Sequence, residues 1–265
     1  MDQKIFQQLK EIVYVNCGIN LNDSKVAMVS ARIAKRMRIL KIKEHAEYLD
    51  YLINDKNSGE ITKFLDVIST NVTSFFREKE HFDFLKSVLN ETVESGQKRI
   101  RIWCAASSTG EEPYSIAMVC KRAVSNSVDL KILATDISTQ VLQAAKEGKY
   151  NEGKIQTIPT DLIAQYFTEE IVDRNKIYHV NDVLKNLILF KRLNLFKTPY
   201  PMSGPMDIVF CRNVMIYFDT STRERLITEI HRLLKPGGYL ITGHAESMAS
   251  INNNFKCIKP SIFMK

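Results

Sequence analysis

Residues 99–124, RIRIWCAASSTGEEPYSIAMVCKRAV, set an apolar run, a short polar turn and a helix-like stretch in immediate succession. That order recurs downstream. LKILATD (130–136) reads as a strand and STQVLQAAKEGKY (138–150) as a helix. MDIVFCRN (206–213) and YLITGH (239–244) read as further strands, separated by the helix TSTRERLITEIHRLLK (220–235) and the turn PGG. Strands alternating with helices predict an α/β domain with a mostly parallel, doubly wound sheet. Ligands of such sheets sit at the carboxyl ends of the strands.

The first turn carries one glycine, Gly110, followed by Glu111 and Glu112. Dinucleotide sites use G-x-G-x-x-G so that the backbone can touch a pyrophosphate, and a phosphate would be repelled by these two carboxylates. Asp136 closes the second strand 26 positions after Gly110. An acid there accepts both ribose hydroxyls of a bound nucleoside, and it also suits the N-cap of the following helix. An adenosine ligand with no phosphate and a cationic tail fits both features. S-adenosylmethionine is such a ligand, with a sulfonium and an ammonium that an acid in the turn could pair. The strand 206–213 ends in Arg212 and Asn213. No [DNS]-P-P-[YFW] tetrapeptide follows it, and TPYP (198–201) precedes the strand and lacks the leading polar residue. A nucleobase nitrogen is therefore a poor acceptor.

The first part of the chain reads as helices. In VAMVSARIAKRMRILKIK (26–43) an apolar stripe runs through Val26, Val29, Ile33, Met37 and Leu40 at spacings of three and four. Arg32, Lys35, Arg36, Arg38, Lys41 and Lys43 place six cations within twelve residues without one acid, with Arg32, Arg36 and Lys43 read as close together on the opposite face. Two readings stand side by side: a solvated surface, the usual fate of a charge run, and docking to an anionic partner that offsets the mutual repulsion. Further helices are expected over 61–68 and 80–94, and ESGQKR (94–99) reads as a turn into the second domain. These features divide the chain into a helical domain (1–73), a linker helix and turn (74–98) and the α/β domain (99–265). Residues 151–192 break the rhythm with two β-like segments, so they read as an inserted small β-subdomain.

Composition narrows the setting. A 45% hydrophobic and 25% charged chain is ordinary for a globular protein, and the net charge of +7 again points to an anionic partner. No run of about 18 apolar residues suggests a membrane span, and the start lacks the pattern of a secretory signal. Five cysteines without a C-x-x-C pair, and five scattered histidines, favour free thiols in a reducing cytoplasm over disulfides or a metal site. His244 and Glu246 form an H-x-E, but the P-C-x-x-C of zinc deaminases is missing.

TNVTSFFRE, ASSTGEEPYSIA, ATDIS, NLF, DIVFCRNVMIYF, LLKPGGYL and GHAES occur in this order along nearly the whole chain. In sequence and approximate spacing they resemble the CheR-type chemotaxis receptor methyltransferases. The resemblance implies a class I S-adenosylmethionine methyltransferase sheet with a small N-terminal all-helical domain. The implied activity is methyl esterification of glutamate side chains on the cytoplasmic helices of methyl-accepting chemotaxis receptors, with S-adenosylhomocysteine as the second product. By motif, Asn71, Thr73, Arg77, Glu111, Asp136, Asn194, Leu195, Arg212 and Asn213 look like cofactor contacts, Glu111 being the acid facing the methionine part. Arg77 and Tyr217 are similar to the residues that orient the substrate carboxylate. Phe75, Phe76 and Phe218 read as packing.

The resemblance further implies a cytoplasmic enzyme that meets the membrane only through its receptor, uses no metal and binds no nucleic acid. The receptor's acidic helices would lie along the basic helix. The inserted subdomain resembles one that binds a receptor's C-terminal pentapeptide tether in relatives with a glycine-rich loop there. YHVNDVLKNLILF (178–190) has no glycine, so tether binding is not expected. Two rival readings are an RNA methyltransferase, suggested by the basic charge, and a non-catalytic scaffold that binds the cofactor.

Overall fold

The computed structural model describes residues 1–55, 59–246, 248 and 254–265. Helix α1 (Gln3–Cys17) starts at Asp2, whose side chain accepts from the Lys4 N–H, and stops at Gly18 with φ 72°. It is followed by α2 (Val26–Leu40), α3 (His45–Ile53) and α4 (Gly59–Ile68). Phe6, Leu9 and Val13 of α1, Val29, Ile33 and Met37 of α2, Leu52 of α3 and Phe64 of α4 form one buried core. α2 ends before the basic run does: Lys41 turns left-handed at φ 60°, its N–H bonding back to the last turn, so Lys41 and Lys43 lie beyond the helix.

Arg36 does not belong to an outward basic face. Three residues after Ile33 and one before Met37, it sits on the flank of the apolar stripe, and only 8% of it is exposed. Its Nε and Nη2 donate to the two carboxylate oxygens of Glu60 at 2.9 and 2.6 Å, and the Tyr48 hydroxyl donates to the same carboxylate at 3.1 Å. Arg32 is also turned inward, donating to the carbonyls of Ile68 and Ser69 at the end of α4. Lys35, Arg38, Lys41 and Lys43 remain exposed.

Helix α5 (Glu80–Glu94) leads into the second domain, where β1 (Arg99–Cys104), α6 (Glu111–Ala123), β2 (Asp129–Asp136) and α7 (Thr139–Glu147) follow in turn. Then come β3 (Lys149–Asn151), α8 (Glu152–Ile155), α9 (Thr160–Tyr166), β4 (Phe167–Val172), β5 (Asn175–Val180), α10 (Asp182–Lys185) and β6 (Ile188–Arg192). The chain closes with β7 (Met206–Cys211), α11 (Thr220–Leu233), β8 (Leu234–Thr242), β9 (Lys256–Lys259) and β10 (Ile262–Met264). Among the described residues the main sheet has the order β6-β2-β1-β7-β8-β10-β9. Its first five strands are parallel, and β10 runs antiparallel to both β8 and β9. The mostly parallel, doubly wound sheet expected from the sequence is therefore present.

Side chains alternate across this sheet with period two. Ile100, Ile102 and Cys104 of β1, and Ile208 and Phe210 of β7, join the core under α5 and α6. Trp103, Val209 and Cys211 face the opposite core with Leu226, Ile227 and Ile230 of α11. The inserted β-subdomain is smaller than expected. β3, β5 and β4 form a separate antiparallel sheet, but β6 pairs in parallel with β2 and buries Phe190 in the main core. Residues 188–192 thus belong to the edge of the main sheet.

Candidate active site

Strand order reverses between β1 and β7, and at such a switch point the loops leaving the two strands part and open a crevice. A cavity of about 280 Å³ lies there. Its floor comes from the β1–α6 turn (Ala105, Ala106, Ser108), the end of β2 (Asp136, Ile137) and the segment after β7 (Arg212, Asn213, Val214). Its walls are Leu193 and Leu195, the connection 68–74, and Ile19, Asn20, Leu21, Asn22, Lys25 and Met28 of the helical domain. Asn71, Thr73, Arg77, Asp136, Asn194, Leu195, Arg212, Asn213 and Tyr217 all line it.

Gly110 holds the β1–α6 turn at φ 99°, where an added Cβ would lie 2.7 Å from the Tyr150 hydroxyl; glycine is the residue that meets both demands. Beyond it, Glu111 and Glu112 part company. The Glu111 carboxylate is fully buried. It accepts from the Thr109 hydroxyl at 2.6 Å and pairs with Lys154 of α8 at 2.8 Å, and it does not line the cavity. Glu111 is thus turned toward Thr109 and Lys154 in this structure, and the acid of the turn that lines the cavity is its neighbour Glu112. One step along a helix turns a side chain by about 100°, enough to exchange the two faces.

Glu112 meets Arg212, whose Nη1 lies 2.6 Å from its Oε2. Arg212 is 4% exposed, and its Nη2 donates to the Arg77 carbonyl at 2.6 Å and contacts Glu78 at 3.1 Å. Burial opposes the guanidinium charge, yet Glu112 and Glu78 outweigh it and leave the Arg212 pKa raised. Burial also opposes the charge on Glu78, but Arg212 leaves its pKa lowered. This buried ion-pair chain fixes the backbone at Arg77, whose side chain is 39% exposed and donates to the Val72 carbonyl at 3.1 Å. Phe76 and Glu78, on either side of Arg77, both adopt positive φ, 52° and 58°. Phe75, buried against Tyr150 and Phe167, anchors the segment.

Asp136 accepts from the N–H groups of Ser108 and Ser138 at 2.9 and 3.0 Å. Burial raises its pKa against these bonds. Asn194 ties the two domains together by donating to the Asn16 carbonyl at 2.6 Å. Asn213, at φ 58°, begins a loop held by the buried carboxylate of Glu246, which accepts from the N–H groups of Asn213, Val214, Met215 and Gly243. Tyr217 lines the cavity from the 3₁₀ turn Met215–Tyr217, and its carbonyl accepts from Asn20 of the helical domain.

Two family models match the chain: the CheR methyltransferase SAM-binding domain over residues 71–264, and the CheR all-α domain over residues 4–69. This chain belongs to the CheR methyltransferase family. The chemotaxis protein methyltransferase of Borreliella burgdorferi is 38% identical over 97% of this chain and 93% of its own length. Chemotaxis protein methyltransferase 2 of Pseudomonas aeruginosa is 35% identical over 97% and 91%. The chemotaxis protein methyltransferase of Escherichia coli is 36% identical over 94% and 86%.

In this CheR-family chain the two matched domains meet at residues 69–71, which form part of the cavity wall. The methyltransferase site is therefore completed by the helical domain. Sequence reasoning missed Ile19, Asn20 and Leu21 of the α1–α2 connection and Met28 in the first turn of α2, because nothing local to either signals contact with a sheet edge some 100 residues away. It also left Glu78, Glu112 and Glu246 without roles, although each lies in a motif it singled out, TNVTSFFRE, STGEEPYS and GHAES.

Proposed function

We propose that this chain is a protein-glutamate O-methyltransferase that esterifies glutamates on the cytoplasmic helices of methyl-accepting chemotaxis receptors. The cofactor would be S-adenosylmethionine, converted to S-adenosylhomocysteine. One observation carries the reading: the cavity joins a buried carboxylate at the end of β2 to a part-exposed arginine and a tyrosine, and no histidine lines it among the described residues. Methylating nitrogen or hydroxyl groups generally calls for removal of a proton. A glutamate, with a pKa near 4.3, is already ionised at neutral pH and needs no general base.

The residues present suit the cofactor. Asp136 can accept from ribose hydroxyls, and Ile137, Leu193, Leu195 and Met28 offer apolar surface to an adenine. The two acids of the β1–α6 turn, Glu111 and Glu112, would face the ammonium end, Glu112 in competition with its pairing to Arg212. When bound, S-adenosylmethionine supplies a methyl group made electrophilic by its sulfonium. The receptor carboxylate forms the C–O bond as the C–S bond breaks, the electron pair stays on sulfur, and no proton is transferred. Opposite charges disappear in this step, so water favours the reactants, and the apolar wall from the helical domain helps by excluding it. Arg77 has two opposing effects on the acceptor. Its guanidinium orients the carboxylate and also withdraws electron density from it. Alignment outweighs that loss, because well-oriented reactants gain up to roughly 7–11 kcal/mol, and Tyr217 shares the load as a neutral donor.

Lys35, Arg38, Lys41 and Lys43 form the proposed docking face for acidic receptor helices in the cytoplasm, with the membrane approached only through the receptor. In this reading the transfer uses no metal, no nucleic acid is bound, and the pentapeptide tether is not a partner. The test is incubation with methyl-labelled cofactor and receptor-containing membranes, followed by mild base. A carboxyl ester releases volatile labelled methanol; label that stays on protein or nucleic acid rejects the proposal.

A further inference from the structure

Beside Arg212, and outside the cavity lining, three metal-ligating side chains converge. Glu78 Oε2 lies 3.4 Å from His81 Nδ1 and 3.9 Å from His244 Nε2, and one ligand atom from each of the three residues falls within 4.8 Å of the others. His81, in the first turn of α5, is completely buried. Neither of its ring nitrogens has a hydrogen-bond partner among the described residues. Native structures rarely leave a buried donor and acceptor idle, and a bound ion is one recognised way to satisfy them. The His244 ring meets His81 edge-on at 5.0 Å and keeps 47% of its side chain exposed, which gives an ion a way in. Glu80 Oε1 stands 3.0 Å from His244 Nε2.

We propose that Glu78, His81 and His244, with Glu80 as a fourth donor, form a binding site for a borderline divalent cation of the zinc class. Nitrogen and carboxylate donors together suit zinc, copper or nickel better than magnesium or calcium. Zinc holds such ligands at about 2.0–2.2 Å in a tetrahedron, so neighbouring donors lie roughly 3.4 Å apart. The 3.4 Å pair already meets that spacing, the 3.9 Å pair needs about half an ångström of closure, and the His81 and His244 nitrogens, within 4.8 Å of each other, close by up to about 1.4 Å. Glu80, outside that group, has an exposed side chain free to swing in. Charge does not forbid the ion: Arg212 is also matched by Glu112, which leaves Glu78 and Glu80 to offset the metal.

Occupancy would regulate rather than catalyse. Glu78 contacts Arg212 at 3.1 Å, and Arg212 holds the Arg77 carbonyl at 2.6 Å. Drawing Glu78 onto a metal loosens that grip and slows methyl transfer. This regulatory half rests on the proposed function above; the binding half does not.

The test uses the full chain carrying Cys257→Ser, which removes the exposed thiol, titrated with cobalt(II) and back-titrated with zinc. Expected are one equivalent of bound cobalt with visible d–d absorption and its displacement by zinc. In His244→Ala the affinity should fall at least about tenfold, since loss of even an outer partner costs that much, while metal-free S-adenosylhomocysteine binding is unchanged. Absence of stoichiometric cobalt binding, or equal affinity in His244→Ala, overturns the site. Methyl-transfer rates that are the same with and without zinc overturn the regulatory half. Failure of the metal-free protein to bind S-adenosylhomocysteine would instead overturn the reading of the cavity.

Discussion

Substituting Glu60 by alanine separates the structural from the docking role of the α2 cations. The change removes the partner of Arg36, a guanidinium whose side chain is 9% exposed and which lies against a carboxylate only 3% exposed. Breaking a buried pair on one side costs about 3–5 kcal/mol, because the remaining charge stays out of water without a partner. The Tyr48 hydroxyl loses its acceptor at 3.1 Å as well, which adds about 1 kcal/mol. A loss of about 4–6 kcal/mol approaches the whole stability of a small domain. Urea unfolding followed by far-UV circular dichroism should therefore show the helical domain melting first in Glu60→Ala. The double variant Arg36→Met/Glu60→Leu replaces both charges by apolar groups, and it should recover most of the loss. It should also retain the wild-type KM for receptor, because Arg36 faces the core. The reasoning fails if Glu60→Ala costs less than about 1 kcal/mol, or if the double variant raises KM as a docking mutation would.

Three further expectations follow from the site. Arg77→Ala should lower kcat at least about 100-fold in a methylation assay while S-adenosylhomocysteine affinity changes by only a few fold, and Arg77→Lys should restore little because an ammonium lacks the planar fork. Lys35→Glu/Arg38→Glu should raise KM for receptor, spare kcat and flatten the salt dependence of KM; an unchanged KM removes these residues from the docking face. Burial raises the Asp136 pKa, and its ionised form is the better ribose acceptor. Calorimetric affinity for S-adenosylhomocysteine should thus be full above that pKa and fall as the pH drops through it, starting above the ordinary aspartate range; Asp136→Asn should bind weakly and lose this dependence.

Most of the sheet was legible because its signals are local. Ile100, Ile102, Trp103 and Cys104 form an apolar strand, and Gly110 and Asp136 stand where turn and strand-end geometry require them. Those same rules placed Asp136, Arg212 and Asn213 at the carboxyl edge, where the structure has them. What stayed hidden depends on contacts distant in sequence. Glu111 and Glu112 are adjacent and identical in type, and only Lys154 on one side and Arg212 on the other distinguish them. Arg36 looked like its neighbours until Glu60, 24 residues away, gave it a buried partner. The 188–192 segment has the same β texture as the inserted sheet, and only pairing with β2 assigns it to the main one.

The most direct test of the central claim is equilibrium binding to the cavity at the switch point, measured by calorimetry with S-adenosylhomocysteine, S-adenosylmethionine, NAD and ATP. The account predicts one site per chain for the two sulfur nucleosides, strongly weakened in Asp136→Asn, and no comparable binding of the phosphorylated ligands. Tight uptake of NAD or ATP with none of either sulfur nucleoside would contradict it.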